Sequence, residues 1–287
     1  MITRIKEHTR RMRLDQFVVQ EKPRISRAFA IKLIESGKAL VNGEIQKGGY
    51  KLRETDTVTI DFDESTLGVV PDIDLPVLYE DDDVVVVNKP AGVISHARGI
   101  YWDEPSVASF IRQRNVDLVG ERAGIVHRLD RATSGVMICA KNPAAMTFLQ
   151  KQFADRKVEK TYIAVVEGHI DTDEAFIDMP IERNPKLPST FRVGPNGKAA
   201  TTHYKVLEVG ENCSLVQLRP KTGRTHQLRV HMQKIGHPIV GDPLYGKGAF
   251  GDRLFLCAQS LTIKLPSGEE KTFEIPTPEI FQQQMSV

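Results

Sequence analysis

Cysteine is scarce in this 287-residue chain. Cys139, Cys213 and Cys257 are odd in number, far apart and form no CxxC pair. That argues against a disulfide framework or a zinc site and for three reduced core thiols. Long apolar runs are missing too. Runs such as VVVV at 84–87 are far too short for a membrane-crossing helix. The opening MITRIKEHTRRMR is polar and basic and lacks the apolar stretch of a secretory signal, so a cytoplasmic protein is expected. There is no internal repeat and no low-complexity tract. No G-x-S-x-G elbow is present, and the glycines near 194–197 and 246–251 fit no phosphate-binding loop. No cofactor and no metal is expected.

Net charge is small, +2, but it is unevenly placed. Residues 1–60 carry 13 Lys and Arg against 7 Asp and Glu. Residues 61–83 carry 9 acids and no base, and the remainder carries 26 bases and 21 acids. Two basic bodies joined by an acidic connector point to a polyanionic partner, usually nucleic acid, although such an imbalance is also common on a solvated face.

Residues 11–60 read as a small domain of two short helices and a small sheet. Ser26 is placed to cap a helix over RAFAIKLIE, with Phe29 and Leu33 at helical spacing and Gly37 as its stop. Asn42-Gly43 between short apolar runs signals a type I′ hairpin, because both positions need positive φ. TDTVTI closes the domain as a strand. Residues 61–76 lack any period and read as an acidic linker. A second domain, 77–287, follows. Strands are predicted at VVVVN (84–88), GVMICAK (135–141), KTYIAVVEG (160–168), THYKVLEV (202–209) and CSLVQLRP (213–220). A helix is predicted over 143–156, with Phe148, Leu149 and Phe153 as its apolar side. Many strands with few helices between them imply an α+β domain with a largely antiparallel sheet.

The stretch GIVHRLDRATSG (124–135) sets Asp130 between Arg128 and Arg131, with His127 nearby. If HRLD is extended, Arg128 and Asp130 point the same way. Burial would protonate a carboxylate, and an adjacent guanidinium would oppose that. On residue types alone, a structural ion pair is a better reading of the pattern than a reactive acid, because ion-pair networks also perturb pKa values. A second basic cluster is RPKTGRTHQLRVHMQKIGHPIVGD (219–242). Here Thr225 is expected to cap a helix ending near Lys234, with Gly236 as its stop. Leu228 and His231 would share a face, and Arg224, just before the first turn, could reach a carboxylate on another strand. His226 and His231 lack the i, i+4 spacing of helical metal ligands, so RNA contact or packing is the better reading. Tyr162 in EKTYIAVVEG is open between core residue, base-stacking platform and proton donor or acceptor. His127, Asp130 and Ser134 stand too close in sequence to mark a hydrolase triad.

These residues carry a resemblance. HRLDRATSGVMICAKN, KTYIAVVEG and GRTHQLRVHM…GHPIVGDPLYG, with YEDDDVVVVNKPAGVISH upstream, resemble the RluA-type pseudouridine synthases over about residues 77–275. Residues 11–60 resemble a small RNA-binding module shared with a small-subunit ribosomal protein, an arrangement similar to members acting on large-subunit ribosomal RNA. The resemblance implies a mixed, mainly antiparallel central sheet with the cleft across its middle and a small N-terminal α/β RNA-binding module. It implies that Asp130 is the catalytic aspartate and that Arg128 enters the space left by the flipped uridine. Tyr162 would stack near the uracil, Arg224 would pair with the aspartate, and Leu228 would line the pocket. His127 is placed with the pocket and base-flipping residues. Arg13, Ser26, Arg27, Lys32 and Lys38 become the expected RNA contacts of the small domain. Two features depart from the family pattern: Ser95-His96, and the loop NPKLPSTFRVGPNGK (184–198).

The implied reaction breaks the N-glycosidic bond, turns the uracil and rejoins it through carbon five. An ionised Asp130 could add covalently to the sugar or base, or assist removal of a sugar proton. Flipping costs a few kcal/mol, which a stacking arginine offsets. Arg131 reads as a phosphate contact or a solvated charge. The expected partner is large-subunit ribosomal RNA, and the protein is expected to be a monomer. The alternatives are the same reaction on transfer RNA and a non-catalytic RNA-binding ribosome-assembly factor.

Overall fold

Apolar residues recur at helical spacing near the N-terminus and in alternation or unbroken runs further on, and the backbone follows that change. The structure is a computed structural model describing residues 2–4, 11–23, 25–63, 73–96, 104–114, 118, 122–246 and 253–286. It divides into two compact units, residues 1–71 with 98–104, and residues 72–97 with 105–287.

The first unit runs β1 (Ile2–Arg4), α1 (Leu14–Glu21), α2 (Arg27–Glu35), β2 (Ala39–Val41) and β3 (Thr57–Ile60). Its antiparallel sheet has the order β1-β3-β2. Leu14, Phe17, Leu33, Ile34, Leu52 and Val58 form its core. Ser26 Oγ accepts the Phe29 N–H at 3.2 Å, and Gly37 stands at φ +74° beyond α2. Asn42 and Gly43 both take positive φ, 52° and 82°. Val41 and Glu44 close the expected hairpin turn through two reciprocal backbone bonds of 2.9 and 3.0 Å, but the pairing stops at that one bridge and no second hairpin strand follows. Asn42 instead bonds Thr57 through both its side-chain carbonyl (2.8 Å) and its backbone, so β2 pairs with β3. The strand β1, in a segment with too little pattern to read, adds the other edge. Of the expected acidic linker, residues 64–72 lie outside the described residues.

The second unit runs β4 (Val77–Glu80), β5 (Val84–Lys89), α3 (Val107–Arg114), β6 (Ser134–Ala140), α4 (Pro143–Ala154) and β7 (Glu159–Glu167). It continues with β8 (Glu174–Asp178), β9 (Ile181–Arg183), β10 (Phe191–Val193), β11 (Thr201–Val209) and β12 (Cys213–Pro220). It closes with α5 (Gln227–Lys234), β13 (Leu256–Lys264), β14 (Glu270–Glu274) and α6 (Glu279–Gln284). One sheet has the order β4-β5-β6-β13-β7-β12-β11-β8, with β14 beside β13. Its pairs are antiparallel except β6 with β13. The sheet is covered on both faces, which explains the unbroken VVVV run. Val84 and Val86 belong to the apolar cluster that holds Leu149 of α4 and Phe281 of α6, and Val85 and Val87 to the one that holds Phe110 and Ile111 of α3. The fold is α+β with a mixed, mainly antiparallel sheet.

Two helix expectations are corrected. On α4 the buried stripe is Ala145, Leu149 and Gln152, and Phe148 is 37% exposed. Gln152 replaces an apolar residue there because its amide bonds the carbonyl and N–H of Lys264. On α5 the cap is His226, at φ 55°, and not Thr225. The first turn is tied instead by Gln227, which accepts from Thr222 Oγ1 (2.6 Å) and the Arg224 N–H (3.1 Å). Among the described residues no helix is long and apolar enough to cross a membrane.

Candidate active site

Asp130 sits in the loop leading into β6, and two buried side chains fix that loop. Ser95 Oγ donates to the Leu129 carbonyl at 2.7 Å and accepts the Leu129 N–H at 3.1 Å. Ser95 thus clamps the residue next to Asp130. Lys89, fully buried at the end of β5, donates from Nζ to the carbonyls of Pro90, Val93 and Arg131 at 2.9, 2.7 and 3.3 Å. Burial pushes its ammonium down to about 8, and the charge of Asp130 partly opposes this. Neither residue was expected from sequence. The available signal was a lysine ending a strand that opens with four valines.

Asp130 is one-fifth exposed, and its Oδ2 faces two cation-capable groups. Arg229 Nη1 lies at 3.6 Å and His226 Nε2 at 3.8 Å. Its other oxygen, Oδ1, has no partner among the described residues. The arginine beside the aspartate is therefore Arg229 and not Arg224. Arg224 Nε donates to the Ala199 carbonyl at 3.1 Å, on the wall of the same cavity. Helix phase explains the change: with the cap at His226, Arg229 lies three residues on and shares its face. Arg229 is buried and held by Asp242 through two bonds of 2.7 Å, which keep the guanidinium charged against its burial.

His226 is also built in. Its Nδ1 meets Tyr245 Oη at 2.8 Å, and the same Oη accepts the Phe191 N–H of β10 at 2.8 Å. The chain is satisfied when Tyr245 donates to Nδ1, which leaves the imidazole proton on Nε2, toward Asp130. Burial lowers the His226 pKa, and Asp130 opposes the shift. Sequence reasoning missed this role, because a left-handed histidine before a helix leaves no pattern.

These groups enclose a cavity of about 120 Å³, which Arg128, Tyr162 and Leu228 also line. Tyr162 projects from β7, and burial and the Asp130 charge push its phenol up, so it stays protonated. Leu228 is 7% exposed. Arg128 is exposed and makes no ion pair or hydrogen bond among the described residues. His127 is turned away from Asp130. Its Nε2 accepts the Ile138 N–H at 3.1 Å and its ring stacks on Phe153 at 4.6 Å. Burial, with Lys160 adding to it, pushes its pKa down to about 3. It is thus a neutral support of β6, and a hydrolase triad is ruled out. His231, in turn, is a packing residue, buried between Thr202 Oγ1 and the Met179 carbonyl, each at 2.9 Å. Arg131 is exposed, and its Nη1 reaches the Gly92 carbonyl at 3.5 Å.

In the first unit, Arg13, Ser26 and Arg27 gather at the start of α2. Arg13 meets the two oxygens of buried Asp15 at 3.1 and 2.9 Å, and Arg27 Nε lies 3.1 Å from the second. Arg13, above all, holds the Asp15 carboxyl below its usual range. The two arginine side chains stay 43% and 52% exposed, and Lys32 and Lys38 are exposed as well.

Residues 83–234 match the sequence family described as RNA pseudouridylate synthase, and residues 12–58 match the S4 domain. The chain is 39% identical to a protein of Xanthomonas campestris named ribosomal large subunit pseudouridine synthase D, over 96% of this chain and 88% of that one. It is 34% identical to ribosomal large subunit pseudouridine synthase C of Vibrio cholerae, over 93% and 89%. Among solved structures, human RNA pseudouridylate synthase domain containing 1 is 33% identical, with a TM-score of 0.61 over 71% of this chain and 84% of that one.

Proposed function

The chain belongs to the RNA pseudouridylate synthase family, and on that premise we propose that it isomerises uridines of large-subunit ribosomal RNA with Asp130 as the reacting carboxylate. The observation that carries this reading is the state of Asp130. One oxygen faces Arg229 and His226, while the other is open to a cavity walled by Tyr162 and Leu228. Addition to the sugar or base, and removal of a sugar proton, both use such a free carboxylate oxygen. The reaction detaches uracil from C1′, rotates it, joins C5 to C1′ and releases the C5 hydrogen.

Tyr162 presents a protonated phenol and an aromatic face to the uracil, and Leu228 closes the apolar side. Arg128, unpaired at the cavity, takes the place of the flipped base in the stack. Arg229 and His226 hold Asp130 in orientation, and Arg224 borders the site. Both named relatives act, by their names, on the large ribosomal subunit, which supports that substrate. The S4 unit contributes affinity, with Arg13, Ser26, Arg27, Lys32 and Lys38 meeting phosphates and raising the effective concentration of the catalytic unit at its target. On this reading the protein works in the cytoplasm as a monomer.

The substrate is tested with unmodified large-subunit ribosomal RNA and transfer RNA, each tritiated at uracil C5. Release from ribosomal RNA alone is expected. Release from transfer RNA alone, or from neither, would contradict the proposal.

A further inference from the structure

A larger cavity, about 390 Å³, opens beside the catalytic one and shares Arg128, Lys160, Tyr162 and Arg224 with it. Phe153, Arg156 and Lys221 extend its walls. Five of its lining side chains are Lys or Arg and none is Asp or Glu. The catalytic cavity, by contrast, contains Asp130.

Lys160 is the informative member. It stands two residues before Tyr162 on β7, so both side chains leave the same face of the sheet, about 7 Å apart along the strand. Lys160 is half-buried, and desolvation lowers its pKa. It makes no ion pair or hydrogen bond among the described residues. Lys89 makes a useful contrast, because its buried ammonium is satisfied by three carbonyls. The Lys160 ammonium keeps contact with solvent but is partly desolvated and unpaired among the described residues, so an arriving anion finds a cation already positioned at the cavity. Arg156 and Lys221 are exposed at the same cavity.

We propose that this second cavity seats an RNA phosphodiester immediately next to the target uridine, with Lys160 as its anchor and Arg156 and Lys221 at its rim. The proposal rests on the pseudouridine synthase reading and deepens it. A linkage bound here, next to Tyr162 and Arg128, holds the sugar-phosphate chain while the base occupies the catalytic cavity. Lys160 then serves binding of the flipped nucleotide and takes no part in bond making.

The test uses the full chain and an RNA fragment containing the mapped target, with a single neutral methylphosphonate placed on either side of it. The native enzyme should lose about 10-fold in kcat/KM when one of the two linkages is neutral, the size of one charge-assisted contact. Lys160→Met should lose about as much on unmodified RNA through KM, with kcat unchanged, and lose nothing more from the neutral linkage. Its slope of log affinity against log salt should fall by about 0.7, and Lys160→Arg should recover part of the loss. An unchanged KM and slope in Lys160→Met would overturn the proposal. So would a fall in kcat at constant KM, or a native enzyme indifferent to both methylphosphonates. If Lys160→Met fails to fold, the exposed double variant Arg156→Gln/Lys221→Gln is read against the same outcomes. If the native enzyme releases no tritium from any RNA, the failure lies in the functional reading itself, and the subsite falls with it.

Discussion

Arg229 holds one carboxylate firmly and another loosely. Its two 2.7 Å bonds to buried Asp242 fix the guanidinium, and Nη1 remains 3.6 Å from Asp130. Removing it strands Asp242 in the interior without a cation. Arg229→Met should therefore destabilise the fold by about 3–5 kcal/mol, measured by urea unfolding. Arg224→Met, at a partly exposed residue bonded to one carbonyl, should change stability by less than about 0.5 kcal/mol. The stretch GRTHQLR contains both arginines but only Arg224 was read as the partner, and which of the two meets the aspartate depends on helix phase. His226 adopts a left-handed conformation that no residue-type rule anticipates, and this shift of the helix start turned the expectation toward Arg224. His127 gives a pH signature. Its imidazole titrates near 3 in the fold and near 6.5 when unfolded. Below pH 6.5 the unfolded chain takes a proton that the native state refuses. Stability from this residue is thus complete above 6.5 and falls by up to about 1.4 kcal/mol per pH unit toward pH 3. His127→Gln, which keeps an acceptor for Ile138, should lose less stability than the native protein between pH 6.5 and 4.5. Equal losses in urea midpoints would contradict this account of His127.

At the scale of elements, β5, β6, β7, β11 and β12 were legible because their residues run apolar or alternate, whereas β13, nine residues long, was not, because Gln259 and Ser260 interrupt its apolar run. Short or irregular pieces were not legible either. The β9–β10 hairpin has three residues per strand, too few for a period, yet Phe191 in it supports the Tyr245–His226 chain that ends at Asp130. The outward Phe148 was misassigned because hydrophobicity alone cannot tell an exposed phenylalanine from a buried one. The joint between β6 and β13 is the most demanding contact near the site. Gly135 lies at φ 118°, and a Cβ there would collide with the carbonyl oxygen of Ala258. Gly135→Ala should destabilise by more than about 2 kcal/mol. It should also weaken turnover, since β6 follows directly on the Asp130 loop. A melting temperature unchanged within error would show that the joint can open without cost.

At the scale of the molecule, the proposed function gives the S4 unit a part in affinity and none in the chemistry. The S4 unit contains no residue of the catalytic cavity, so its cations should act on affinity alone. Lys32→Gln/Lys38→Gln should reduce the salt slope of ribosomal RNA binding by about 1.4 if both lysines meet phosphates, and leave kcat intact. A slope equal to the native one would remove these two lysines from the interface. The family was readable because its motifs are long and widely separated, from KPAG at 89–92 to GHPIVGD at 236–242. What holds those motifs together was not readable. Ser95, Lys89, Tyr245 and Asp242 act through contacts distant in sequence, such as the 34 positions from Ser95 to Leu129.

The central claim is that Asp130 performs the isomerisation and is not needed for RNA capture. The most direct test compares native protein and Asp130→Asn for tritium release from C5-labelled ribosomal RNA, alongside binding of the same RNA. The account predicts release by the native protein alone, with affinities alike within about threefold, because the substitution removes a charge that meets no phosphate. Release by Asp130→Asn at the native rate would contradict it.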